Sequence, residues 1–193
     1  MNKKVLLTGI SGYIGLHCAK ILLAEGYTVV GTVRSANKEK EVIKTLNSNS
    51  ISIENLSFAY LDLSADEGWD AALSNCNYVM HVASPFTIKN PKNELDMLVP
   101  AIDGTLRVLK KAKKYGIKRV VLTSSTVAIM GGKKKAVITP EDWTDLNSKN
   151  LNTYFKSKTL AEQSAWDFIQ NQSGDHSLEL VSINPGGVFG PPL

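Results

Sequence analysis

The 193-residue chain, with hydrophobic residues at 43%, charged residues at 21% and a net charge of +4, has the composition of one globular domain and is too short for two large ones. Its two cysteines exclude a disulfide framework or a thiolate metal cluster and lead us to expect a cytoplasmic protein; there is no signal-peptide cleavage pattern after Lys3-Lys4 and no apolar run of membrane-spanning length. The basic excess at Lys110–Lys114, Lys118 and Arg119, and at Lys133–Lys135, has no interleaved aromatics, so it reads as solvated surface, with neither nucleic acid nor membrane expected as a partner.

Val5-Leu6-Leu7 is an unbroken apolar run of the kind a strand buried on both faces needs, and Gly9, Gly12 and Gly15 follow at a spacing of three. This predicts strand, glycine turn and helix. Gly9 supplies a backbone conformation closed to other residues, Gly12 clears the place where a pyrophosphate approaches, and Gly15 lets the helix pack closely. The helix start then offers N–H groups to phosphate. The spacing is not the commoner Gly-x-Gly-x-x-Gly fingerprint, and a glycine turn that binds nothing is the competing reading.

The first helix is expected over 12–25, stopped by Gly26, and a β-branched second strand over 27–33. Arg34 stands where a dinucleotide fold places the carboxylate that binds the adenosine ribose. A guanidinium there suits a phosphate that a carboxylate would repel, so NADP rather than NAD is expected. An exposed arginine opening a polar loop is the alternative. A weak helical pattern over 39–46 is followed by a polar turn over 47–55 and a third strand over 56–61. Asp62 either accepts a hydrogen bond from the adenine amino group or caps a helix beginning near Ser64. The fourth strand, 78–82, runs into Ala83-Ser84-Pro85-Phe86, whose small residues leave room for a cofactor to cross the sheet. His81, within that strand, reads as a packed histidine, with an acid or base role as the alternative.

The longest helical pattern covers 94–114, where Pro100 predicts a kink or a late start. A fifth strand over 119–122 leads into Thr123-Ser124-Ser125-Thr126. The polar stretch 128–151, anchored by Trp143, is long enough to cover a site. Tyr154 and Lys158 then stand one turn apart on the helix that runs to Gln170. A phenol is too weak an acid to exchange protons readily at neutral pH, by roughly 4 kcal/mol. One ammonium at about 4 Å, with an effective dielectric near 20, contributes on the order of 4 kcal/mol, so the pair is sufficient in magnitude. A sixth strand over 178–183 ends in Asn184-Pro185-Gly186-Gly187-Val188, a loop suited to passing close to a nicotinamide or to an ordinary turn.

Together, Thr8-Gly9-Ile10-Ser11-Gly12-Tyr13-Ile14-Gly15, Thr32-Val33-Arg34, Asp62-Leu63, His81-Val82-Ala83-Ser84-Pro85, Thr123-Ser124-Ser125, Tyr154-Phe155-Lys156-Ser157-Lys158 and Asn184-Pro185 through Gly190-Pro191 resemble an extended short-chain dehydrogenase/reductase. More narrowly, they resemble the group of dihydroflavonol, cinnamoyl-CoA and NADPH-dependent aldehyde reductases. The resemblance implies an α/β, doubly wound parallel sheet of Rossmann type with helices on both faces. It also implies Tyr154 as proton donor, Lys158 on the nicotinamide ribose, Ser125 on the carbonyl with Ser124 as its fallback, and Arg34 and Lys40 on the 2′-phosphate. Thr8, Gly9, Gly12, Tyr13, Ile14, Gly15, Asp62, Leu63, Val82, Ala83, Ser84, Pro185, Gly186 and Val188 would line the rest of the NADP site. Members of the group continue past the Gly-Pro pair into a region that closes over the substrate. Residues 1–193 are therefore expected to be the NAD(P)-binding domain, ending before most of that region. The expected partner is a small-molecule carbonyl compound, and the protein a monomer or homodimer. The rivals are a nucleotide-sugar epimerase or dehydratase, which prefers an acid where Arg34 stands, and a non-catalytic NADP-binding regulator, which commonly lacks the Tyr-Lys pair.

Overall fold

The computed structural model describes residues 3–85, 91–132, 135–149, 151–174 and 176–193; Phe86, Lys133 and Lys134 lie outside the described residues. Six parallel strands, β1 (Lys4–Thr8), β2 (Thr28–Val33), β3 (Leu56–Tyr60), β4 (Tyr78–His81), β5 (Arg119–Thr123) and β6 (Glu179–Ile183), are ordered β3-β2-β1-β4-β5-β6. The order reverses between β1 and β4, where Thr8 stands opposite His81. In an open parallel sheet that reversal leaves a crevice at the carboxyl ends of the strands.

Successive side chains of a strand face opposite ways, and both faces here are covered. Leu6 of β1 and Val30 of β2 join Trp69, Val108, Leu109, Val120 and Ala165 in one core, whereas Leu7, Val29 and Val33 join Ala19, Val42 and Leu46 in the other. The first core lies under α3 (Trp69–Leu73), α4 (Leu95–Lys114) and α6 (Thr153–Gln170), the second under α1 (Tyr13–Ala24) and α2 (Ala36–Ser48). A four-residue helix, α5 (Val127–Met130), packs near α6.

Three boundaries depart from expectation. The second helix is longer at both ends, because the Ser35 hydroxyl accepts from the Lys38 N–H at its start and Asn49 donates back to the Thr45 carbonyl at its end. No helix starts at Ser64: Asp62 closes a tight turn onto the Ser64 N–H and hydroxyl, and α3 begins only at Trp69, after Gly68 turns the chain at φ +79°. The loop after β5 opens with α5. Its anchors are Asp142 and Thr144, both buried, while Trp143 is half-buried. The Thr144 hydroxyl accepts from the Gly131 N–H (2.7 Å) and donates to the Val127 carbonyl (2.6 Å). Pro100 sits within α4, five residues after its first residue, Leu95, so the helix does not start late on its account.

Lys111 and Lys114 both reach Asp70, and Arg119 pairs with Glu179. Among the described residues, no helix is long and apolar enough to cross a membrane.

Candidate active site

β1 turns into α1 through Gly9, at φ +71°. The turn is closed by the Gly12 N–H donating to the Gly9 carbonyl at 3.0 Å. A methyl group at Gly15 would stand 2.1 Å from that same carbonyl oxygen, so the helix can approach only because Gly15 has no side chain. At Gly12 the nearest atom would be 3.4 Å away, and the residue is exposed. α1 starts with no side-chain cap and no acidic residue in its first turn, which leaves the N–H groups of that turn to an outside acceptor. Such a bare, glycine-walled helix start fits a diphosphate.

Thr8 ties this turn to the strand across the crevice. Its hydroxyl oxygen accepts from the Val82 and Ala83 N–H groups, each at 3.1 Å, and lies 2.8 Å from His81 Nδ1. With its oxygen taken up as acceptor, the threonine O–H donates to Nδ1, which makes His81 a neutral imidazole protonated on Nε2. Burial, with the Lys158 charge adding to it, pushes His81 down to about 3. A histidine depressed on folding gives stability that is complete above its unfolded value near 6.5 and is lost as pH falls from there toward 3. We expect the urea-unfolding free energy to fall by about 2 kcal/mol from this group between pH 6.5 and pH 5. His81→Asn, which keeps an acceptor for Thr8, should flatten that slope. An equal slope in both proteins would remove His81 as its cause.

An open cleft of about 280 Å³ runs from Ile14 at the start of α1 past Ser125, Tyr154 and Lys158 to Pro185, Gly186 and Val188. Val82, Ser84, Thr123 and Ser124 complete its lining. α6 places Tyr154 and Lys158 because Asn152 caps it, its side chain accepting from the Phe155 N–H at 2.9 Å. The Ser157 hydroxyl donates to the Tyr154 carbonyl at 2.8 Å. Lys158 is buried, donates to the Thr123 carbonyl at 3.2 Å, and is pushed down to about 8 by loss of hydration, which the Glu162 charge opposes. Ser124 and Ser125 differ in how they are held. Ser124 donates to the buried Glu162 carboxylate, whereas Ser125 makes a long contact of 3.4 Å to the Pro185 carbonyl.

The remaining expected site residues lie outside the lining of this cleft. Arg34 and Lys40 are exposed, at the end of β2 and on α2. The Asp62 carboxylate is held below the usual range first by the Ser64 hydroxyl and N–H, with Arg34 contributing. The Leu63 side chain packs toward Gly104 of α4. Tyr13 meets His17 in a tilted ring contact with ring centres 4.9 Å apart, and His17 Nε2 lies 3.2 Å from the Pro191 carbonyl, so the segment after β6 returns across α1. Glu162 is the residue that sequence reasoning missed; the available signal was a carboxylate four positions after Lys158, on the same helix face.

A family model described as "NAD dependent epimerase/dehydratase family" matches residues 5–192. The chain is 39% identical over 202 residues to a cinnamoyl-CoA reductase of Medicago truncatula, covering 100% of this chain and 60% of that one. It is 32% identical over 206 residues to an NADPH-dependent methylglyoxal reductase of Saccharomyces cerevisiae, covering 98% and 59%. Among solved structures, it is similar to Gre2 of Candida albicans in complex with NADPH, with a TM-score of 0.84 and 35% identity over 98% of this chain and 59% of that one. The chain thus spans about 60% of the length of the curated relatives it matches.

Proposed function

The chain belongs to the NAD dependent epimerase/dehydratase family, and from that premise we propose that residues 1–193 are the NADP-binding domain of a carbonyl reductase. The observation that carries this reading is the meeting of Ser125, Tyr154 and Lys158 in one cleft that opens beside the uncapped start of α1. The cofactor, when bound, supplies the hydride that reduces an aldehyde or ketone. The chain's own residues supply the rest. Tyr154 gives the proton that the nascent alkoxide needs, so that one hydride and one proton convert the carbonyl to an alcohol. Lys158 keeps a positive charge one turn from that phenol and binds the nicotinamide ribose. Ser125, whose hydroxyl is only loosely engaged, holds the carbonyl oxygen; Ser124 is committed to Glu162. Gly9, Gly12, Tyr13, Ile14 and Gly15 receive the diphosphate, and Arg34 and Lys40 the 2′-phosphate. Thr8, Val82, Ala83 and Ser84 form the floor that the dinucleotide crosses, Asp62 and Leu63 the adenine end, and Pro185, Gly186 and Val188 the nicotinamide wall. The names of the relatives, reductases of a cinnamoyl thioester and of methylglyoxal, support a small carbonyl compound as substrate.

The test is a screen of small aldehydes and aryl ketones with NADPH and with NADH, alongside direct titration of both cofactors. Turnover with NADPH and a preference for it are expected; retained NAD, or equal affinity for the two, would overturn the reading. Arg34→Ala should weaken NADPH by roughly ten- to a hundredfold, the worth of a charge-assisted contact, and change NADH by less than about threefold.

A further inference from the structure

Behind Lys158 lies a carboxylate to which the reaction above assigns no step. Glu162 is only 4% exposed. Its Oε2 accepts from the Ser124 hydroxyl at the end of β5 and from Asn184 Nδ2, beyond β6, at 2.8 Å, and its Oε1 accepts from Trp166 Nε1 at 3.4 Å. Asn184 Nδ2 also donates to the Ser125 carbonyl at 3.1 Å. One side chain of α6 thereby joins the ends of two strands whose next residues, Ser125 and Pro185, line the cleft. A buried carboxylate bearing such donors holds its neighbours firmly, because removing it strands every one of them.

Glu162 also shares a small hollow with Lys158. Its walls include His81 from β4, Thr105 from α4 and Thr123 from β5. The charged or titratable groups lining it are His81, Lys158 and Glu162. His81 is neutral there, so Glu162 is the anion that balances the ammonium.

We propose that Glu162 is a positioning residue of the reduction, which keeps the Lys158 amine protonated and fixes Ser125 and the Asn184-Pro185 turn beside it. The inference rests on the function proposed above. Loss of hydration already disfavours the ammonium and the Glu162 charge opposes that loss. Without the charge, the proton leaves Lys158 sooner as pH rises.

The test follows the ε-carbon of Lys158 by NMR in ¹³C-lysine-labelled protein, without cofactor, with the signal assigned by its absence in Lys158→Arg. In Glu162→Gln the titration midpoint should fall by about one pH unit. Where turnover is measured, the alkaline limb of kcat should move by the same amount, with the KM for the carbonyl changed by less than roughly threefold. Glu162→Asp keeps the charge but shortens its reach. It should titrate within about a third of a unit of the parent and lose roughly fivefold or more in kcat. An unmoved midpoint in folded Glu162→Gln overturns the proposal. If that variant fails to fold, undiminished kcat in Glu162→Asp overturns it instead. A parent that binds no NADPH counts against the proposed function, and an active parent with an unmoved Glu162→Gln counts against Glu162 alone.

Discussion

Tyr154→Phe is expected to lower kcat for NADPH-dependent carbonyl reduction by roughly a thousandfold, the usual worth of a positioned general acid, while NADPH affinity stays within about threefold. The substitution removes one oxygen and leaves the ring. The fold around it depends on other groups: the Asn152 cap, the Ser157 hydroxyl on the Tyr154 carbonyl, and buried Ser157, Lys158 and Thr159 behind it. What is lost is therefore the proton rather than the helix. Steady-state kinetics with a saturating aldehyde, paired with fluorescence titration of NADPH, separate the two quantities. A variant that turns over within threefold of the parent would mean that another group supplies the proton.

The glycine turn gives the second large effect, and it separates binding from folding. In Gly15→Ala the new methyl group meets the Gly9 carbonyl oxygen at 2.1 Å and the Ile10 Cα at 2.9 Å, both backbone. No rotamer change relieves that, so α1 must lift from the turn. The expected cost is about 2 to 4 kcal/mol, read as a Tm lower by roughly 5 to 12 °C, together with loss of NADPH binding. In Gly12→Ala the new methyl group has ordinary contact distances at an exposed position. It should leave Tm within about 2 °C and still abolish NADPH binding, because it occupies the approach of the diphosphate. Thermal melts and NADPH titration on both variants decide it. Retained binding in Gly12→Ala would show that the ligand does not use this turn.

The parts of this architecture that were legible beforehand are those whose physics is local. Val5-Leu6-Leu7 and the three glycines announce a buried strand, a turn and a closely packed helix, because each step is set by residues a few positions apart. The Tyr154–Lys158 pair is legible for the same reason. Ser124 and Ser125 were not separable, since adjacent residues at a strand end face opposite ways and only the register beside β6 fixes which one meets Glu162. Beside its adenine reading, Asp62 admits a helix-cap reading because an acid, a short gap and an apolar run look alike whether the helix starts at once or, as here, after Gly68. α5 has only four residues, too few to show a period. Glu162 was overlooked because a carboxylate on a helix ordinarily faces water; the burial of Ala161 and Ala165 beside it marks that face as interior.

The return of the segment after β6 across α1 bears on the order in which contacts close. His17 and Pro191 meet across 174 positions of the chain, and β1, at the middle of the sheet, waits for β4 before it has a neighbour on that side. Contacts so far apart along the chain are slow to close. The glycine turn, built from residues a few positions apart, is thus held in place by partners far along the chain and gains them late in folding.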